Sequence, residues 1–260
     1  MIDDERDAVA AQFGVSTEQV ERDHLISHLL AFLSTSVGEQ VQFIGGTALA
    51  RTHLPTGRLS EDIDLIAIDD RKPVAAALDA ALPRALSRSH GRLTLEPALG
   101  SIASTLPAIL RTAGGLSVRI QLLSSRDRIV WPSERRVLVQ RYADAPAAEL
   151  LVPTLPAFAA SKTSTWADRK GARDLWDLWA LSELGAIDRQ AAALYRRYGP
   201  TNHPPTPQLF RAAPTDAEWQ AQLAGQTRIT VSARQALDAV RKAWRTVALS
   251  DESDDPSNRS

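Results

Sequence analysis

Cysteine is absent from the 260 residues, which excludes a disulfide framework and any thiolate metal site. Long apolar runs are absent too: no stretch approaches the roughly 18 residues that a membrane span needs. Neither sign of charge dominates. With 30 basic and 31 acidic residues the formal net charge is −1, so any polyanion has to be met by a local patch. The opening residues also give no expectation of a basic and then apolar leader. The chain opens MIDDERDAV, acidic where a signal peptide is basic, and a cytoplasmic location is the expectation. Lysine is scarce, with only Lys72, Lys162, Lys170 and Lys242, so a lysine inside a motif is less apt to be filler. The remaining composition, 44% hydrophobic and 23% charged, is that of a globular protein, and the length admits one large domain or two modest ones.

Apolar spacings of three and four in HLISHLLAFL predict helix over much of residues 1–38. VQFI reads as a short buried strand ending at Gly45-Gly46, TALARTHL as a helix, LPTGRLSE as a loop and DIDLIAI as a second strand. An alanine-rich helix follows, interrupted or ended near Pro83. RLTLEPAL, GLSVRIQLL and RRVLVQRY are three further candidate strands. The character changes at LLVPTLPAF, after which nearly everything reads as helix apart from the link GPTNHPPTPQLF. The expected class is mixed α+β: a small mixed-sheet half at residues 1–152, an all-helical half at 153–249, and a disordered acidic tail at 250–260.

The pattern with chemical content is strand, Gly45-Gly46-Thr47, helix, loop, then Ser60-Glu61-Asp62-Ile63-Asp64 opening a hydrophobic strand. Alternate strand residues face the same way, so Asp62 and Asp64 project together, roughly 7 Å apart, while Ile63 points to the other side. Two such carboxylates repel unless a cation lies between them, and hard oxygen donors beside phosphate suit magnesium. The glycines let backbone N–H groups approach a phosphate, with Thr47 offering a hydroxyl. G-x-G-x-x-G and G-K-[ST] are both absent, so this is neither a Rossmann nor a Walker fingerprint. Taken singly, a Gly-Gly is more often a turn and an S-E-D-I-D string a solvated loop; the combination in this order is what is specific.

GGTALARTHLPTGRLSEDIDL resembles the signature of the polymerase-β-like nucleotidyltransferase superfamily, a glycine pair followed at ten to fifteen residues by Asp-x-Asp. More narrowly, the chain resembles the AbiEii/MenT toxins of type IV toxin–antitoxin systems, which add a helical lysine and an Arg-Asp-x-x-Asp. Those match Lys162 in FAASKTSTWA and Arg173-Asp174-Leu175-Trp176-Asp177. The resemblance implies a polymerase-β-like sheet half and an enzyme moving a nucleotide from an NTP to RNA, with the tRNA 3′ end foremost, held in check by a cognate antitoxin. It implies Mg2+ on Asp62 and Asp64, catalytic roles for Asp62, Asp64, Lys162 and Asp174, and nucleotide binding by Gly45, Gly46, Thr47, Arg51 and Ser60. One departure is visible: where the superfamily carries a third acid on a later strand, SVRIQLL offers Gln121, with Arg119 on the same face.

The structural alternatives are concrete. Arg173 and Asp177, four apart, are placed to form a surface ion pair, and Asp174 near a helix start favours the dipole. Of the five histidines only His24 and His28 share a metal-like spacing, with no third ligand near them in sequence, so a zinc site is not expected. Arginines cluster at Arg126, Arg128, Arg135, Arg136 and Arg141, and a second basic cluster is Lys162, Arg169, Lys170 and Arg173. The second is the expected RNA-facing wall of a cleft between the two halves. Other readings are transfer to a small acceptor such as an aminoglycoside, or an inactive relative that binds nucleotide or a partner, which Gln121 keeps open.

Overall fold

A computed structural model describes residues 1–253, with side chains to residue 249. The chain divides into two compact units. Met1–Pro153 together with Gly225–Thr227 form the first; Thr154–Ala224 and the chain from Arg228 on form the second.

In the first unit α1 (Asp3–Phe13) and α2 (Thr17–Val37) precede the sheet. Gly14 in the left-handed region closes α1, and the Ser16 hydroxyl caps α2 by accepting from Gln19 N. The strands are β1 (Val41–Ile44), β2 (Asp62–Ala67), β3 (Thr94–Glu96), β4 (Ala108–Arg111), β5 (Ser117–Ser124), β6 (Ser133–Val137) and β7 (Glu149–Pro153). Among the described residues they make one mixed sheet in the order β3-β4-β5-β2-β1-β7-β6, with β2–β5 and β1–β7 parallel and the other pairs antiparallel. β2 is central, so its odd side chains Ile63, Leu65 and Ala67 are wholly buried. Between β1 and β2 lies the short α3 (Gly45–Arg51); α4 (Arg71–Ala85) follows β2 and carries Pro83 in its last turn. α2 packs on β5, β7 and α4.

β4 and β7 were not expected as strands, and the expected strand RRVLVQRY is only partly one. β6 ends at Val137, because beyond it the chain turns to serve a buried charge. Asp23, on α2, is 2% exposed and Arg51, at the end of α3, 0%. Arg51 Nη2 lies 2.7 Å from Asp23 Oδ1 and also donates to Asp23 O at 3.0 Å, while Nη1 donates to Val139 O at 3.0 Å. The Tyr142 hydroxyl donates to Asp23 Oδ2 at 3.0 Å, and Arg141 Nη1 is 3.5 Å from Oδ1. Burial pulls the Arg51 guanidinium down to about 10, with Asp23 opposing the fall, so it is a cation at neutral pH. Burial first, and Asp23 next, raise the Tyr142 hydroxyl above its usual range, which keeps it a donor.

The second unit holds α5 (Leu155–Arg169), α6 (Ala172–Glu183), α7 (Arg189–Tyr198), α8 (Asp216–Leu223) and α9 (Ala233–Ser253). α5 packs on α6 and α7, and α6 on α8 and α9. Leu175, Leu178 and Leu181 of α6 are fully buried, as is Trp166, whose indole N–H donates to Leu209 O at 3.0 Å. Asp188 caps α7, and a Thr215–Glu218 capping box opens α8. The segment expected to be a disordered tail starts inside α9; residues 254–260 lie outside the described residues. No described helix is long and apolar enough to cross a membrane.

Removing one partner of a fully buried ion pair leaves the other charge uncompensated. Arg51→Ala is expected to lower unfolding stability by about 3–5 kcal/mol, and Tyr142→Phe by about 1.5–3 kcal/mol, the range for a hydrogen bond to a charged group. Urea denaturation of the two variants checks this; a midpoint for Arg51→Ala indistinguishable from the parent would show that the pair stabilises nothing.

Candidate active site

Asp62 opens β2 and Asp64 follows two residues on, each half-buried beside wholly buried Ile63, so the alternation of the strand sets both carboxylates on one face. Register fixes their neighbours. Asp62 is opposite Arg119 and Asp64 opposite Gln121 on β5, while Ile44, the last residue of β1, pairs with Asp64. Gly45 therefore comes directly against the Asp64 carboxylate. Its φ is +83°, and a Cβ there would lie 2.6 Å from Asp64 Oδ2, so any side chain is strained there and has to push the carboxylate aside. A Cβ on Gly46 would press on Arg58 Nη2 and sit 3.1 Å from Ser60 Oγ. The glycine pair is thus the close wall of the carboxylate site, and oxygen donors on one face beside that backbone fit a small hard cation.

The other expected residues divide. Thr47 is buried, and its hydroxyl donates to the Asp62 carbonyl, holding the start of β2 rather than facing outward. Ser60 is 8% exposed at the Gly46 corner. Gln121 occupies the position facing the two acids and donates to Thr105 O at 2.6 Å, so β5 brings no third carboxylate there. Arg119 Nη1 lies 3.8 Å from Asp62 Oδ2, a cation on the same face. The nucleotide-holding role expected for Arg51 does not fit its position: the side chain is enclosed and its guanidinium is turned to Asp23 and Val139.

The cation that does sit beside the glycines is Arg58, 4% exposed and not singled out in the sequence. Arg58 Nη1 donates to Gln226 Oε1 at 2.7 Å, and the same short segment receives Leu59 N on Gln226 O at 2.8 Å and gives the Thr227 hydroxyl to Gly57 O at 2.9 Å. Those contacts clamp the loop that leads into Asp62. A signal was present in the T-G-R-L-S-E-D loop, but the partner, 168 residues away, was not.

In the second unit Lys162 and Asp174 lie against each other, in company with Asp177 and Arg169. Lys162 Nζ is 3.5 Å from Asp174 Oδ1 and 2.6 Å from Asp177 Oδ2, so Asp177 is buried with Lys162, and the alternative of a surface pair with Arg173 does not describe it. Arg169 binds Asp174 through two nitrogens at 2.6 and 3.0 Å. Lys162, Asp174 and Asp177 are all under 7% exposed. Lys170 donates to Leu209 O at 2.8 Å and lies 4.9 Å from the Trp166 ring centre; burial lowers its pKa. Of the basic cluster expected to track RNA, Arg169 and Lys170 are therefore engaged in holding their own helices.

A model of the nucleotidyl transferase AbiEii toxins of type IV toxin–antitoxin systems matches residues 29–254. The chain belongs to this family. Among solved structures the chain is similar to MenT4, a nucleotidyltransferase toxin from Mycobacterium tuberculosis H37Rv, with a TM-score of 0.67, 21% identity, and coverage of 94% of this chain and 89% of that one. It is also similar to an H. pylori protein whose crystal structure was assigned to the nucleotidyltransferases, with a TM-score of 0.54, 14% identity, and coverage of 92% and 98%. No curated protein shows significant sequence similarity. By family and fold, this AbiEii member is a nucleotidyltransferase of the toxin type.

The contact between Gly45 and Asp64 gives a sharp expectation. In Gly45→Ala the methyl has to displace the carboxylate, and an ångström of misplacement at a reacting centre costs about a hundredfold in rate. Nucleotide transfer by Gly45→Ala should fall by about that factor, and by far more than in Gly115→Ala, at the β4–β5 turn, whose added Cβ meets nothing. Both lie at positive φ, so backbone strain is matched between them. Equal activities in the two variants would remove the close-wall role.

Proposed function

We propose that the chain transfers a nucleotide from an NTP to a hydroxyl of RNA, with the tRNA 3′ end as the acceptor, and that Asp62 and Asp64 hold magnesium for the reaction. The observation that carries this reading is the pair of acids on one face of the central strand, with Gly45 left bare against Asp64. Bound there, magnesium supplies charge neutralisation along the phosphates and on the departing pyrophosphate. Asp62 and Asp64 would hold the ion from one face of β2, and one of their oxygens accepts the hydrogen bond of the attacking hydroxyl. The new bond joins the acceptor oxygen to the α-phosphorus as the bond to the β-phosphate oxygen breaks, and the hydroxyl proton passes to the carboxylate. Backbone N–H groups at Gly45 and Gly46 approach the phosphates, Ser60 adds a hydroxyl, and Arg58 replaces Arg51 as the local positive charge. Arg119, exposed on the same face, offers a second cation.

The resemblance gives Lys162 and Asp174 catalytic roles. Their enclosure with Asp177 and Arg169 supports a positioning role within the helical unit. Growth inhibition follows if the tRNA end is blocked, and the family's systems pair such a toxin with an antitoxin, which we take as this chain's partner in the cytoplasm.

Incubation with labelled NTPs, magnesium and total RNA tests the reading: label should enter tRNA and depend on magnesium. Asp62→Ala or Asp64→Ala should lower transfer about a thousandfold, equivalent to about 4 kcal/mol of transition-state stabilisation, with an unchanged melting temperature. Near-normal transfer by either would end the assignment, and label entering only small molecules would move the acceptor to that class.

A further inference from the structure

His24 and His28 stand one turn apart on α2, and the fold brings a third histidine to them. His90, in the connection after α4, places Nε2 3.1 Å from His24 Nδ1. His28 Nε2 is 3.2 Å from His24 Nε2. Both Asp144 oxygens lie 3.0 Å from His24 Nε2, and Oδ2 lies 3.8 Å from His28 Nε2. The absence of a third ligand, expected from sequence spacing, is thereby corrected: one nitrogen from each ring falls within 4.8 Å of the others.

We propose that His24, His28 and His90, with Asp144, form a binding site for a divalent first-row transition cation, zinc foremost, independent of the Asp62/Asp64 pair. A tetrahedral ion with bonds of about 2.0–2.1 Å holds its ligand atoms about 3.3 Å apart. The spacings among His24 Nε2, His28 Nε2 and Asp144 bracket that value; His90 Nε2 stands on the Nδ1 side of His24, and its ring has to move for it to join them. Imidazole donors select zinc and its neighbours over magnesium.

Burial first, then His24, lowers the pKa of His28; burial, then His24 and His28, pulls His90 down to about 4, shifts that favour the uncharged, ligating imidazole. Without metal, the ring nitrogens and the Asp144 carboxylate lie within hydrogen-bonding distance of one another. That arrangement keeps the donors gathered. The charged groups facing them are Asp144 and the Met1 amino group, which contacts Asp144, so the metal competes with that contact. His24 and His28 are buried and His90 is half-exposed, which leaves an entry path. The ion would tie α2 to segments 66 and 120 residues away in sequence, a structural staple that stabilises only the folded chain.

The test uses the full chain carrying Asp62→Asn and Asp64→Asn, stripped of metal, so that the acid pair takes no part. Titration with Zn2+ alone should show one equivalent bound and a melting temperature that rises with zinc. Co2+ in its place should give the strong visible bands of a tetrahedral site. His90→Asn, at a half-exposed position, should weaken zinc binding by roughly a hundredfold and abolish both the bands and the melting shift, with an unchanged circular dichroism spectrum. No zinc binding, a weak octahedral cobalt spectrum in the chain with all histidines intact, or undiminished affinity in His90→Asn would each overturn the proposal.

Discussion

The buried pair of Asp23 and Arg51 is the constraint around which the sheet unit is arranged. Arg51 ends the short helix that begins at Gly45, so fixing its guanidinium under α2 fixes where that helix points. The same charge draws in Val139, Arg141 and Tyr142, which takes the chain off β6 and across α2 and α3. A charge enclosed this completely is tolerated only with every partner in place, so three remote segments acquire one geometry. The glycine pair stands at the other end of that helix, and its close fit against Asp64 inherits this rigidity.

Much of this was legible in the sequence and some was not, for physical reasons. The acids and glycines were legible because their chemistry depends on local spacing: a strand period of two for Asp62 and Asp64, and a turn with positive φ at Gly45. Gln121 was correctly set opposite the acids because alternation along SVRIQLL transfers directly to a parallel neighbour. β4 and β7 were hidden because short apolar runs beside prolines, as in TLPAILR and LLVPTLP, do not tell strand from helix by period alone. Arg51 was misread because a basic residue after the glycines looks the same whether it reaches outward to phosphate or inward to Asp23. Arg58 and His90 were missed for one reason: each acquires meaning from a partner far away in the chain, Gln226 and His24.

The helical unit repeats the theme with more charges. Lys162, Arg169, Asp174 and Asp177 balance two cations against two anions at the junction of α5 and α6. Gly171 opens α6 with no side chain, and a Cβ there would come 3.0 Å from Asp174 Oδ2. The two acids of the Arg-Asp-x-x-Asp string thus join α6 to α5 in their local geometry, whatever further part they take.

Residues Gly225–Thr227 belong to the sheet unit although the chain around them builds the helical one. Through Gln226 and Thr227 they hold Gly57, Arg58 and Leu59, the loop that delivers Asp62. On the ribosome, the sheet strands emerge long before this clasp is made. A chain cut ahead of Gly225 lacks the partners of Gly57, Arg58 and Leu59, so the loop that delivers Asp62 is clamped only after the chain has passed through most of the helical unit.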